Sequence, residues 1–254
     1  MAAPLALQLY TVRDALQHDF VGTLRRVADI GYRGVETAFF GPDITPRYAH
    51  ACIEELGLSI CSIHCELPLA EQREQVVSLA AELGSDRIIW HGWPRDPRYS
   101  SLDGISALVA EYNAAAAIAK QAGLRLGIHN HWWECEYVDG VLPYQVFLQQ
   151  LDPAIFFELD TYWAQVAGRD PIAMLHELGP RAQLVHIKDG PATQDAPKTA
   201  VGAGAMDVPG IVAASAAHAE WLIVELDDCA SDMLDAVAQS YTYLTSNGLA
   251  VGNK

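Results

Sequence analysis

The sequence predicts an α/β protein, a single (β/α)8 TIM barrel spanning residues 1–254. Three observations carry that expectation. A helical stretch, a glycine or short polar break and an apolar strand recur along the chain until eight strands and eight helices are counted. The strands are short apolar runs of the kind that parallel sheets bury. Four of them end in a residue that can bind a metal or move a proton: His129, Asp160, His186 and Glu225. In a closed parallel barrel all C-terminal strand ends meet at one mouth, so residues far apart in sequence converge there.

The elements follow in order. The first strand runs from Leu5 to Val12. Helix 19–30 closes at Gly31 and leads to Gly34-Val-Glu36; helix 46–56 closes at Gly57 and leads to the strand 58–64, ending in His64. Helix 69–83 closes at Gly84 before Arg87-Ile-Ile-Trp-His91, and helix 103–122 closes at Gly123 before the strand that ends at His129. Glycine in these places suits the left-handed position that terminates many helices. The second half continues with helix 143–150 and strand 155–160, helix 170–178 and strand 183–189, helix 209–217 and strand 221–227, and a closing helix at 232–246. A doubly wound open sheet is the rival. It usually carries a glycine-rich phosphate loop after an early strand, and no GxGxxG pattern occurs. The one glycine-rich stretch, Val201-Gly-Ala-Gly204, follows strand seven, within a segment, 190–209, that reads as a long loop over the mouth.

Composition narrows the function. Half of the 254 residues (51%) are apolar, enough for a large core, and 16 basic against 32 acidic residues leave a formal charge of −16. Such a surface repels phosphate backbones and anionic lipid, which argues against nucleic acid and membranes as partners. No apolar stretch approaches the ~18 residues of a membrane span, and the start lacks the basic region of a secretory signal. Five cysteines, odd in number and without a CxxC pair, read as reduced thiols of a cytoplasmic protein. Cys61, Cys65 and Cys135 are expected to be small buried hydrophobes. A homo-oligomer is left open.

The chemistry sits at the strand ends. In His129-Asn-His131-Trp-Trp-Glu134 the two histidines share one strand face, and Glu134 begins the following loop. Glu158 and Asp160 likewise share a face; Glu158 lies deeper, so Asp160 is the better ligand candidate. His186 and Lys188 share a face of strand seven, where Lys188 suits either a substrate oxyanion or phosphate, or an ion pair with a carboxylate. The run Val224-Glu225-Leu226-Asp227 closes the set on strand eight, with Glu225 as its candidate. Imidazole with carboxylate donors suits one divalent metal ion, Mn2+, Zn2+, Co2+ or Fe2+, with Mg2+ admitted by the oxygen donors. Such an ion, clamped on neighbouring carbonyl and hydroxyl oxygens, would acidify the C–H between them and stabilise the enediolate. Glu36, His64 and His91 add polar groups at three more strand ends, and Trp90, Trp93, Trp132, Trp133, Tyr162 and Trp163 cluster near them, where aromatic faces suit sugar rings.

With these motifs in order, from Leu7-Gln-Leu-Tyr-Thr-Val-Arg13 and Ala28-Asp-Ile-Gly-Tyr-x-Gly-Val-Glu36 through His129-Asn-His131, Glu158-Leu-Asp-Thr-Tyr-Trp163 and Val185-His-Ile-Lys-Asp189 to Val224-Glu225, the chain resembles the sugar phosphate isomerase/epimerase family of xylose-isomerase-like barrels. The resemblance runs from about residue 5 to 245. It implies one metal held by a Glu, an Asp, a His and a Glu on strands five to eight. Asp160, His186 and Glu225 match the last three; His129 stands in the first place, so that His129 itself, His131 or Glu134 completes the set. The family's epimerases use the strand-five and strand-eight glutamates for their two proton transfers. Here only Glu225 keeps that role, and His131 or Glu134 is expected as the second acid/base. Lys188, His64 and Trp163 are expected to grip the substrate, with His91 and Glu36 beside them. A three-metal repair nuclease is disfavoured, because Trp163 stands where that branch carries a histidine and the surface is acidic. The resemblance thus implies a metal-dependent isomerase or epimerase of a sugar or keto-sugar. The alternatives are a dehydratase or lyase using the same site on a keto-sugar, and a non-catalytic sugar-binding barrel.

Overall fold

Eight strands run in chain order around a closed barrel, each parallel to both neighbours, with β1 pairing β8 to complete the ring. This computed structural model describes residues 2–94 and 96–254. The strands are β1 (Leu5–Gln8), β2 (Gly34–Thr37), β3 (Ser59–Cys65), β4 (Arg87–Trp90), β5 (Arg125–His129), β6 (Phe156–Asp160), β7 (Ala182–Ile187) and β8 (Trp221–Val224). The α-helices are α1 (Arg13–His18), α2 (Phe20–Ile30), α3 (Pro46–Glu55), α4 (Gln72–Leu83), α5 (Leu102–Gln121), α6 (Pro143–Gln150), α7 (Thr161–Val166), α8 (Pro171–Leu178), α9 (Val208–Ser215) and α10 (Met233–Ser246).

Helix starts follow local chemistry. Asp19, Thr45, Ser101, Asp170, Asp207 and Asp232 precede α2, α3, α5, α8, α9 and α10, and each side chain accepts a hydrogen bond from a first-turn N–H. Gly84 (φ 67°) and Gly123 (φ 76°) supply the left-handed residue after α4 and α5, as the pattern predicts. Two elements depart from expectation. The first strand ends at Gln8 rather than Val12, because the Gln8 side chain accepts the Tyr10 N–H and the chain turns into a 3-10 helix over Leu9–Val12. Two short helices, α1 and α7, join the eight expected ones. α7 starts without a connecting loop because the last residue of β6, Asp160, caps it by accepting the Trp163 N–H.

Alternation along the strands stacks the barrel interior in layers. Ala6, Cys61, Ile89, Phe156, Leu184 and Ile223 pack together as an apolar floor. Two residues further along five of these strands come Gln8, His91, Glu158, His186 and Glu225, with His129 two beyond Gly127 on β5. Gly127 lets the Phe156 ring cross the floor: a Cβ there would lie 2.4 Å from that ring and 2.7 Å from Ile89. Outside the barrel the larger core joins strands to helices. Cys52, Cys61, Cys65 and Cys135 are buried free thiols, which for Cys61, Cys65 and Cys135 is in line with their reading as small hydrophobes. No described helix is long and apolar enough to cross a membrane.

The segment expected to be a long loop after strand seven is tied down by one carboxylate. Asp189 Oδ1 accepts the N–H groups of Gly190 (2.8 Å) and Met206 (3.1 Å), and Oδ2 accepts those of Gly202 (2.9 Å) and Gly204 (3.1 Å). Thr199 also forms a bridge with Asp189 through the backbone.

Candidate metal centre and sugar pocket

The four strand ends singled out in the sequence meet at the mouth. Donor atoms of His129, Asp160, His186 and Glu225 lie within 4.8 Å of one another, and all four residues are buried. His186 Nδ1 is 2.8 Å from Glu225 Oε2 and 3.8 Å from Asp160 Oδ2; His129 Nε2 is 3.5 Å from Asp160 Oδ2. Both ring nitrogens of His129 are buried without a hydrogen-bond partner, whereas Asp160 Oδ2 has the Lys188 ammonium 2.9 Å away. Unpaired buried polar atoms are costly, so the orphaned imidazole beside three other donors fits a cation-binding set. Burial, followed by the charge of the His186 ring, holds His129 well below the usual imidazole range. It is neutral, with a lone pair free for a metal.

Two of the donors are fixed from behind. Asn130, between the two histidines, uses its side chain as a strand extension: Oδ1 accepts the Asp160 N–H at 2.8 Å and Nδ2 donates to the Asp160 carbonyl at 3.2 Å. His186 Nε2 is 2.7 Å from Glu36 Oε1, and Glu36 also accepts from Gln8 (2.8 Å) and Ser62. A metal-binding imidazole is commonly oriented by such a carboxylate on its other nitrogen.

Beneath the mouth, Glu36, His64, Glu158 and His186 form a second buried group with donor atoms within 4.8 Å. Imidazole nitrogens and carboxylate oxygens alternate there at 2.7 Å (His186–Glu36), 3.2 Å (Glu36–His64), 2.6 Å (His64–Glu158) and 3.3 Å (Glu158–His186). Burial pushes His64 down, but the Glu36 and Glu158 carboxylates outweigh it and raise its pKa to about 10. Burial raises Glu36 as well, and the His64 and His186 charges overcome it to hold the carboxyl well below its ordinary value. Glu158 goes the other way, raised by burial and by the charge of Glu36. His186 is raised well above the imidazole range, because Glu158, Glu36 and Glu225 outweigh burial. A metal on Nδ1 would therefore have to displace a proton.

Lys188 is 1% exposed, and its ammonium lies 2.9 Å from Asp160 Oδ2, 2.8 Å from Glu225 Oε2 and 3.1 Å from Asp227 Oδ2. Of its two readings from the sequence, the ion pair is the arrangement present. The same cation helps to hold the Glu225 carboxyl well below its usual range. Asp227, the third carboxylate, carries no role in the sequence-based set, although its place two residues beyond Glu225 on the same face is its signal.

A cavity of about 810 Å3, open solvent included, spreads above these groups. His64, His91, His129, His131, Lys188 and Glu225 all line it, together with Gln8, Tyr10, Phe39, Trp93 and Asp227. Two expected substrate contacts do not. Glu36 is fully buried beneath the mouth, where it supports His186. Trp163, 5% exposed, packs its ring against the Lys188 and Lys198 ammonium groups instead, at 5.3 and 4.5 Å. His131 stacks on Trp133 (4.1 Å between ring centroids), and its Nδ1 has no hydrogen-bond partner. Glu134 is 3% exposed and lies behind it, accepting the His131 N–H at 2.8 Å and lining a separate recess under Tyr99 and Tyr112. Of the two candidates for a second acid/base, His131 faces the cavity and Glu134 backs it.

A barrel with closed eight-strand topology and a polar cluster at the C-terminal strand ends defines a class, and the comparisons give the family within it. Residues 24–244 match the model of the xylose isomerase-like TIM barrel, and the chain belongs to that family. Among solved structures it is similar to a sugar phosphate isomerase/epimerase from Parabacteroides distasonis, with TM-score 0.84 and 24% identity over 99% of this chain and 96% of that one. It also resembles an L-ribulose 3-epimerase (TM-score 0.75, 18% identity, 97% and 94% coverage). A third similar structure is a 3-keto-D-glucoside 4-epimerase from E. coli (TM-score 0.69, 16% identity, 96% and 99%). At these identities the likeness speaks to the fold. A search of curated protein sequences finds no match.

Proposed function

We propose that the protein is an isomerase or epimerase that binds one divalent metal ion and removes a proton next to the carbonyl of a sugar or keto-sugar. The observation that carries the reading is the convergence of His129, Asp160, His186 and Glu225, with the nitrogens of His129 left unpartnered in a buried site. These four residues would hold the ion, with Mn2+, Zn2+ or Co2+ favoured by the imidazole–carboxylate set. When bound, the ion supplies Lewis-acid polarisation of the carbonyl.

The chain's own residues account for the proton transfers. Burial raises Glu225, yet the Lys188 and His186 charges dominate and hold its carboxyl well below the usual range. It is ionised near neutral pH and suits the role of base. His131 lines the same cavity and suits delivery of the proton to the other face, with its buried Nδ1 turned back to within 4.0 Å of Glu134 Oε1. His64 and His91 would contact sugar hydroxyls from strands three and four. Glu134 orders the turn that presents His131.

The test is exchange of substrate C–H hydrogen with deuterated water, followed by mass spectrometry on keto-sugars. The wild type should wash deuterium into the carbon beside the carbonyl. Glu225→Gln should lose about 100- to 10,000-fold, the usual weight of a positioned acid or base. Conserved product mass marks isomerisation; loss of water or of a leaving group marks elimination from the same enediolate. Sugar binding without exchange in the metal-loaded protein would make the barrel a binding module and overturn the proposal. Elemental analysis adds a separate readout: near-stoichiometric metal should disappear in Asp160→Ala and His186→Ala, and its persistence in both would refute the ligand set.

A further inference from the structure

The outer wall of the cavity has a chemistry that the metal cluster does not explain. Seven large apolar side chains are exposed among the described residues, and three of them, Tyr10 (38%), Phe39 (64%) and Trp93 (48%), line this one cavity. Apolar surface left in water gains free energy when a ligand covers it, so their gathering at one mouth points to a ligand. Their placement is ordered. Phe39 and Trp93 both stand edge-on to His91, with centroids 5.9 and 4.9 Å from it, and the Arg13 guanidinium lies 4.1 Å over the Tyr10 ring.

Charge among the described residues of the mouth disfavours one class of substrate. Lys188 is the cationic side chain among the described lining residues, and its ammonium is already shared by three carboxylates. Lys198, 3% exposed, sits 3.8 Å from Asp227 and 3.6 Å from Asp228. Arg13 donates to the carbonyls of Tyr10 and Asp227, each at 2.9 Å. Glu225 and Asp227 face the cavity with negative charge. A phosphoryl group entering here would meet the Glu225 and Asp227 carboxylates and, in Lys188 and Lys198, ammonium groups already paired with carboxylates, where phosphate recognition calls for free arginine, lysine or a helix N-terminus.

We propose that Tyr10, Phe39 and Trp93 form a second subsite for a neutral ring joined to the reacting sugar. The substrate is then an unphosphorylated glycoside, its reacting sugar at the metal cluster and its second ring, sugar or aryl, laid on the aromatic wall. This rests on the proposed sugar site, and deepens it by naming the substrate class. The C–H face of a pyranose and the π face of an aryl group both pack on such rings.

Binding distinguishes this from the catalytic reading. Isothermal titration would use four probes that share one reacting ring: 3-keto-D-glucose, its 6-phosphate, 3-keto-cellobiose and phenyl 3-keto-β-D-glucopyranoside, on the metal-loaded protein. At least one neutral two-ring probe should bind about tenfold tighter than 3-keto-D-glucose, the scale of one or two ring contacts. The 6-phosphate should gain nothing over 3-keto-D-glucose. Phe39→Ala/Trp93→Ala, which alters exposed side chains, should abolish the two-ring advantage while leaving 3-keto-D-glucose binding and the melting temperature unchanged. Preference for cellobiose identifies the second ring as sugar, and preference for the phenyl glycoside identifies it as aryl. Tightest binding of the phosphate, equal binding of all neutral probes, no binding of either two-ring probe, or a two-ring advantage that survives in the double variant would each overturn the subsite. Deuterium exchange without two-ring preference would remove the subsite and keep the enzyme. Two-ring preference without exchange would do the reverse.

Discussion

Lys188 shows how one side chain can prepare a metal site and compete for it. Its ammonium neutralises Asp160 and Glu225 while it stands on the oxygens an ion would use. Removing one partner of a buried ionic group costs about 3–5 kcal/mol. Lys188→Met should therefore melt well below the wild type when metal-free, and saturating Mn2+ or Zn2+ should recover more stability in the variant than in the wild type. Equal metal-induced shifts in calorimetry would refute this. His91 gives the pH counterpart. Burial, then the nearby His64 and His131 charges, lower it from 6.5 to about 3. Above pH 6.5 it is neutral in both states and costs nothing. As pH falls from 6.5 towards 3 the unfolded chain takes up a proton that the folded chain refuses, so stability drops by up to about 1.4 kcal/mol per pH unit. His91→Gln should unfold with a shallower acid dependence across that window, measured by urea titration at stepped pH; an unchanged slope would contradict it. At this scale the sequence shows which donor types stand at strand ends. It does not show that Glu36 lies beneath the mouth holding His186, because a pattern of alternation gives a face and not a depth.

At the level of elements, the glycine-ended helices and apolar strands are legible because their cause is local. The Gly84 and Gly123 positions need a left-handed residue, and the sequence supplies one at each. What escapes is set by side chains reaching back to the backbone. Gln8 ends β1 by accepting the Tyr10 N–H, Asp160 turns β6 straight into α7, and Asn130 lengthens the pairing of β5 and β6. Each of these residues also reads as an ordinary strand or loop position. The interior packing tests the layer description. Gly127→Ala would place a methyl against Phe156 and Ile89, an overpacking that costs about 1–3 kcal/mol. Chemical denaturation should register that loss, and Phe156→Leu in the same chain should recover part of it. A Gly127→Ala protein as stable as the wild type would mean that the floor is loosely packed.

For the whole molecule, the eight-fold repeat fixes the topology and topology does the gathering. Residues from His64 to Glu225 reach one cavity because the barrel closes between β1 and β8. The formal charge of −16 keeps the same sign at the mouth as over the surface, so polyanions are repelled from both. Aromatic residues near strand ends are visible in the sequence, but their division between core and mouth is not. Trp163 packs on lysines, whereas Phe39 and Trp93 stay open, and only the three-dimensional arrangement separates them. The single carboxylate of Asp189 has a consequence on the timescale of amide exchange. The backbone N–H groups of Gly190, Gly202, Gly204 and Met206 all end on it. A stretch without regular secondary structure should then open as one unit, and these four protons should exchange with solvent at a common, slow rate close to that of the β7 amides. In Asp189→Asn the four rates should separate and rise, and a protease offered the folded protein should find its first cut between β7 and α9.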